Sequence, residues 1–430
     1  MTLSRRSMLA LALTGAAHPL LRAGESLAPT RRSGADGATD ATLAAIASDP
    51  TCQLASLSVL AIAAGRPLYQ AQWGLRSISA GLPANADTLY RVASVSKLVT
   101  SVALMRLVEG GLLELDADVS GYLGFTLRNP YFPARAVTLR ALMSHTSSLR
   151  DDAGYAWPLT TALASALNND AIWARNAGPG AFFSYCNLGW GVIGTIMERV
   201  TSERFDRLMA RLLLAPLGLQ GGYYAAALPA AQIGNLATIY RKRAVNSEQW
   251  DSAGPWIAQA DDVTAGPPTP PAALADYVPG ANATPFSPTG GLRISAAGLG
   301  VIMQLLLAGG VHQGQRLLRR ATIDTMFTRQ WTMDAARANG DSADGLFQAW
   351  GLGNQQFIGG AGAPFDGVGH LGDAYGLRSL FVCERARATG YIALIGGTAS
   401  DPDLRKGSHS RLALVEERVL DALRERTRHG

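Results

Sequence analysis

The pattern of apolar and polar positions changes period along the chain, and each change marks an expected element. After a polar leader to about Thr39, a short helix is expected over Ala41 to Ala47. Leu57 to Ala63 and Leu68 to Trp73 are runs of β-forming residues separated by Gly65, Arg66 and Pro67, which predicts a hairpin. From Ser94 to Glu109 the period becomes helical: Val95, Leu98, Val99, Val102, Met105 and Val108 fall on recurring positions, and Gly110 and Gly111 supply the stop. That helix should be largely buried. The middle of the chain, to about residue 334, reads as mostly helical pattern broken by Gly and Pro. Within it Leu299 to Leu307 is an expected buried helix, and the proline-rich stretch from Gly266 to Pro271 an extended surface segment. Short β-like runs return at Leu380 to Cys383 and Tyr391 to Ile395, and an amphipathic helix from Leu412 to Leu423 closes the chain.

Strands near both ends and helices between them imply one sheet assembled from both termini, with a helical insertion as a second lobe. The expected division is an α/β lobe from residues 36–92 and 335–430 and a mostly helical lobe from 93–334. This is an α/β (α+β) architecture, one sheet with flanking helices beside a mostly helical lobe.

Residues 1–30 are set apart as an export signal and leader. Ser4, Arg5, Arg6 and Leu9 precede a short apolar run from Ala10 to Leu13, in the order and style of a twin-arginine signal. The run ends at His18 and Pro19, short of the roughly 20 apolar residues a membrane span needs, so a periplasmic or secreted protein without a stable membrane anchor is expected.

Composition narrows the picture further. Of 430 residues, 48% are hydrophobic and 17% charged, which suits a globular protein with a large core and excludes disorder or a coiled coil. A net charge of +5 falls to +2 if a cut after Ala23 removes Arg5, Arg6 and Arg22, too little to imply nucleic acid. Cys52, Cys186 and Cys383 have neither metal-ligand spacing nor an even count, so no disulfide framework is implied. Signatures of zinc, nucleotide and flavin sites are absent from the sequence, and neither metal nor organic cofactor is expected.

Lysine occurs only at positions 97, 242 and 406, so a lysine inside a motif is informative. Ser94 and Lys97 form S-x-x-K at the start of the expected helix, where residues three apart share a face. The lysine can act as a base only when neutral, which burial and nearby positive charge promote. Tyr185 and Asn187 form Y-x-N: a phenol can relay a proton, and an amide can both contact a substrate carbonyl and hold the lysine. Gly369, His370, Leu371, Gly372 and Asp373 precede a strand-like run; a glycine there lets a substrate backbone approach, and the Asp373 N–H can join that of Ser94 in an oxyanion hole.

In this order the three motifs resemble those of the serine β-lactamase and penicillin-binding protein superfamily. The closer likeness is to its class C β-lactamase branch, with D-alanyl-D-alanine carboxypeptidases and related esterases. The segments Thr88–Lys97, Val137–Leu149, Leu214–Leu219 and Gly290–Ser295 are also similar to family segments, and the likeness extends over about residues 54–400.

The resemblance implies a serine hydrolase of β-lactamase/transpeptidase-like fold, an antiparallel sheet flanked by helices plus a mostly helical lobe with the active site between them. Ser94 would attack an ester or amide carbonyl after losing its proton to Lys97 or to Tyr185, with Tyr185 protonating the leaving group. Asn187, His370, Gly372 and Asp373 would bind substrate, which would be a small ester, amide, lactam or peptide. His145 would buttress the fold, Cys186 would be a buried structural thiol, and Asp151 with Asp152 would be a solvated loop. His370 stands where the lactamases carry a lysine whose charge holds a carboxylate, which favours an esterase or amidase. A β-lactamase or D-alanyl-D-alanine carboxypeptidase is the first alternative, and a non-catalytic ligand sensor the second.

Overall fold

The computed structural model describes residues 34–245, 247–360 and 363–429. The expected export segment, residues 1–30, lies outside the described residues.

In chain order, helix α1 (Gly34–Ala47) precedes strands β1 (Ser56–Ala63), β2 (Arg66–Ser77), β3 (Leu82–Pro83) and β4 (Tyr90–Arg91). Helices α2 (Val95–Glu109), α3 (Ser120–Leu123), α4 (Leu139–Met143), α5 (Leu163–Ala166), α6 (Leu188–Thr201), α7 (Phe205–Met209) and α8 (Ala230–Ile233) follow. Next come β5 (Ile239–Lys242), β6 (Trp256–Ala260), β7 (Arg293–Ile294), α9 (Ala296–Leu307), the ribbon β8 (Val311–His312) and β9 (Gln315–Arg316), and α10 (Arg320–Phe327). The chain closes with β10 (Trp331–Thr332), β11 (Ala349–Trp350), β12 (Gln355–Phe357), β13 (Gly367–Ala374), β14 (Leu377–Glu384), β15 (Thr389–Ile395), β16 (Gly397–Thr398) and α11 (Leu414–Arg428).

Nine strands form one antiparallel sheet in the order β10-β11-β12-β13-β14-β15-β1-β2-β3. The expected hairpin is β1 and β2, and β1 pairs on its other edge with β15, Leu57 opposite Ile395. β1 reads as a continuous apolar run because both of its faces are covered. Leu57, Val59 and Ala61 pack with α1 and α11 on the outer face, while Leu60 and Ile62 join the main core with α2 and α9 on the inner one. A Cβ on Gly300 of α9 would lie 2.4 Å from Leu60, so this glycine lets α9 sit close on the sheet.

Several expectations change. The first helix begins at Gly34 and the last runs to Arg428, each longer than its apolar period suggested. The division at residue 334 does not hold, because α9 and β10 precede it and belong to the sheet layers. The middle of the chain is not only helical: β5 and β6 form a second sheet with β16, which pairs parallel to β5. The proline-rich stretch is, as expected, exposed and without regular structure. No helix among the described residues is long and apolar enough to cross a membrane.

Candidate active site

The chain reaches Ser94 through a tight turn. β4 pairs with β7, then Ala93 takes the left-handed conformation (φ 45°), and Ser94 stands at the N-cap of α2. A non-glycine residue there is strained. The Ser94 side chain makes no capping bond to its helix, which leaves the hydroxyl to the site. One turn on, Lys97 is wholly buried. Its Nζ lies 2.8 Å from Ser94 Oγ, 2.9 Å from Asn187 Oδ1 and 2.9 Å from the Thr289 carbonyl.

That geometry fits a neutral amine, which can donate its two N–H groups to the carbonyl oxygens of Asn187 and Thr289 and accept from the serine hydroxyl. Burial draws the Lys97 pKa down to about 7, against an opposing pull from the Asp151 carboxylate.

Tyr185 reaches the same hydroxyl, and burial pushes its phenol well up despite the Ser94 hydrogen bond. Its ring is stacked between His145, at 4.4 Å, and Phe347, at 5.4 Å. His145 Nδ1 accepts from the Cys186 N–H at 3.0 Å, so this histidine holds the tyrosine segment in place as expected. Cys186 is a buried thiol whose pKa burial raises further.

Asp151 corrects an expectation. It is not part of a solvated acidic loop: it accepts from the N–H groups of Asn187 and Leu188, from Asn187 Nδ2, each at 2.9 Å, and from Cys186 Sγ at 3.3 Å. A carboxylate thereby satisfies the first free amides of α6 and fixes Asn187 with its oxygen toward Lys97. Asp152 is the exposed one and pairs with Arg150. Asn187 Oδ1 also accepts from Thr289 Oγ1 at 2.7 Å. Asp151 and Thr289 are the site residues that sequence reasoning missed. The first sits in a stretch without period, and the second contacts Lys97 through its main chain.

His370 is buried on β13 beside Tyr185 and Trp350, with Nδ1 on the Leu371 carbonyl. Burial, with Lys97 nearby, pushes its pKa down to about 3, so it is neutral. Gly372 is required by close approach, since a Cβ would fall 2.6 Å from the Val92 carbonyl oxygen and 3.1 Å from the Ser94 nitrogen.

The register of β13 also exposes an amide. Tyr375 and Gly376, with φ of 60° and 98°, form the two-residue turn to β14. With Ala374 and Leu377 closing that turn, Asp373 and Arg378 are the next pair, whose main-chain groups point away from each other. β12 reaches only to Gly369, so the Asp373 N–H faces an open edge.

Ser94, Tyr185, Asn187, His370, Gly372 and Asp373 all line one cavity of about 1170 Å³, with Lys97 beneath Ser94. Among the described residues, one cluster has the spacing of a metal site, His409, Glu417 and Asp421, and none of the three lines the cavity. Glu417 there accepts from Ser408 and Ser410 and so fastens the segment before α11.

Comparison with known proteins bears on the family and the fold. The chain is 30% identical over 168 residues to penicillin-binding protein 4 of Amycolatopsis lactamdurans, covering 38% of this chain and 43% of that protein. It is 32% identical over 185 residues to esterase EstB of Burkholderia gladioli, covering 38% and 46%. The matched region thus spans less than half the length of either relative. Among solved structures, EstCE1, a hydrolase with promiscuous acyltransferase activity, superposes with a TM-score of 0.65 at 22% identity, covering 91% of this chain and all of that one. The D-amino acid amidase of Ochrobactrum anthropi SV3 gives a TM-score of 0.62 at 20% identity, covering 91% and 99%. Both share the β-lactamase/transpeptidase-like fold of this chain. A family model described as Beta-lactamase matches residues 39–415, and the protein belongs to that family.

Proposed function

We propose that this protein is a serine hydrolase that cleaves an ester or amide through an acyl-enzyme on Ser94. The observation that carries the reading is Lys97, buried beneath the nucleophile with its nitrogen 2.8 Å from the hydroxyl and two carbonyl oxygens to take its N–H groups. Neutral Lys97 takes the Ser94 proton as Oγ attacks the carbonyl carbon. The Ser94 and Asp373 N–H groups stabilise the oxyanion. Tyr185, whose raised pKa suits an acid better than a base, passes its proton to the leaving group and is reprotonated from Lys97. Water then releases the acid, with the same two groups drawing off its proton.

A neutral His370 favours ester or amide substrates over lactams, whose carboxylate it cannot pair with. The names of relatives, an esterase and an amidase among them, support this choice. We propose as well that residues 1–30 direct export to the periplasm.

The test is covalent labelling. The protein should react with a fluorophosphonate and gain its mass at Ser94, Ser94→Ala should not, and short-chain nitrophenyl esters should be turned over. Penicillin labelling with little ester turnover would move the assignment to lactam or peptide substrates. No adduct with either reagent would end the hydrolase reading.

A further inference from the structure

The cavity holds a cation that the proposed chemistry does not use. Arg91, three residues before the nucleophile, lines it together with Ser94, Gly290 and Tyr375. Its Nε donates to the Gly290 carbonyl at 3.0 Å, and its guanidinium lies 4.8 Å from the centre of the Tyr375 ring. Among the described residues no carboxylate lies within ion-pair distance of it. The acid nearest in electrostatic effect, Asp261, is taken in two bonds by Arg293, at 2.7 and 3.0 Å. The other cations on the cavity differ. Arg378 is paired with Asp373 and Asp403, while Lys406 and Arg411 are exposed to solvent. Arg91 is partly buried, has no ion-paired carboxylate among the described residues, and is backed by the Tyr375 side chain, which is how a guanidinium is prepared to receive an anion.

Its place on the strand says which part of a substrate it meets. His370 lies beside Tyr185, which serves the leaving group, and Asp373 faces the carbonyl oxygen. Tyr375 lies beyond Asp373, at the tip of the β13–β14 hairpin, and Arg91 is stacked on it. The group attached to the carbonyl carbon therefore runs toward Arg91, away from His370. Tyr375 itself holds a left-handed conformation (φ 60°) that asparagine or glycine adopts at less cost. The residue is 48% exposed, so core packing does not account for it.

We propose that Arg91 is the specificity residue of the acyl side and receives a carboxylate carried by the acyl group, so that preferred substrates are half-esters or half-amides of short dicarboxylic acids. The inference rests on the acyl-enzyme reading and on Tyr185 marking the leaving-group side.

The test uses mono-4-nitrophenyl succinate and glutarate, each beside its methyl-capped neutral counterpart. The wild-type protein should favour the free carboxylate by tenfold or more in kcat/KM, chiefly through KM. In Arg91→Gln that ratio should fall to about one, whatever change the two esters share, and Arg91→Lys should restore part of it. A wild-type protein that treats charged and capped esters alike overturns the proposal without any variant. So does an Arg91→Gln protein whose two esters fall together, because Arg91 would then only be holding Gly290. Fluorophosphonate labelling of Ser94 is read independently: labelling without acyl preference removes this inference alone, and absence of labelling removes both.

Discussion

Three polar atoms surround the Lys97 nitrogen, and only two of them must accept a proton from it. The role proposed for Lys97 as the base has a direct consequence for pH. In that role the active form is the neutral amine, whose pKa burial draws down to about 7. Turnover under kcat/KM conditions should therefore rise with pH through about 7 and level above it, falling about tenfold for each further pH unit below. The measurement is kcat/KM for a nitrophenyl ester from about pH 5.5 to 8.5; a flat profile would mean that Lys97 is not the titrating base. His370 should contribute no limb in that range, since burial keeps it neutral down to about 3. At this scale the sequence was informative: Ser94, Lys97, Tyr185, Asn187, His370, Gly372 and Asp373 all line or underlie one cavity. Their spacing in short motifs made them visible. Arg91 was not singled out, because nothing in the letters of Thr88 to Lys97 separates a cavity-facing arginine from a solvated one.

Between elements, the decisive joint is Asp151, which ties a loop to the first turn of α6 and through Asn187 to α2. Its carboxylate also pulls the Lys97 pKa upward against burial. In Asp151→Asn the side-chain oxygen can still accept from an α6 amide, but the charge is gone. The acidic limb of the pH profile should then move to lower pH by about 0.5 to 1, with a modest loss of thermal stability. A purely structural Asp151 would cost stability and leave the limb where it was. The reason this residue was unreadable is general. Its role comes from a bend, with His145 and Ser148 at positive φ, that brings residue 151 to residue 187. The same holds for β10, β11 and β12, two or three residues each, whose pairing is set by neighbours rather than by period. Long apolar runs such as β1, β15 and α2 were legible because burial on both faces writes itself into composition. Helix α1 was seen only from Ala41, because the Gly and Asp positions of residues 34–40 carry no apolar stripe.

Across the whole molecule, the sheet joins chain segments that are far apart in sequence, and its two faces have separate tasks. The inner face carries α2, α9 and the site, while the outer face is closed by α1 and α11. Leu43 of α1 is fully buried there, in one cluster with Leu57, Val59, Leu420 and Leu423 to which neither Ser94 nor Lys97 belongs. Leu43→Ala should cost about 2–5 kcal/mol, a large part of the roughly 5–15 kcal/mol that holds a typical domain folded. The melting temperature should accordingly fall by several degrees, while kcat/KM at 25 °C, measured on the folded fraction titrated with fluorophosphonate, stays within about twofold. A tenfold loss of kcat/KM in fully labelled protein would mean that packing on the outer face sets the geometry of the site through β13 and β14. β13 presents residues to both faces: Leu371 packs against the outer cluster while Gly372 lies against Val92 and Ser94 on the inner side, so a shift of β13 on its outer side would move the Asp373 amide directly. What guards against that is the seven-residue pairing of β13 with β14, which spreads the loss of three side-chain carbons over a continuous ladder before it reaches the Asp373 amide.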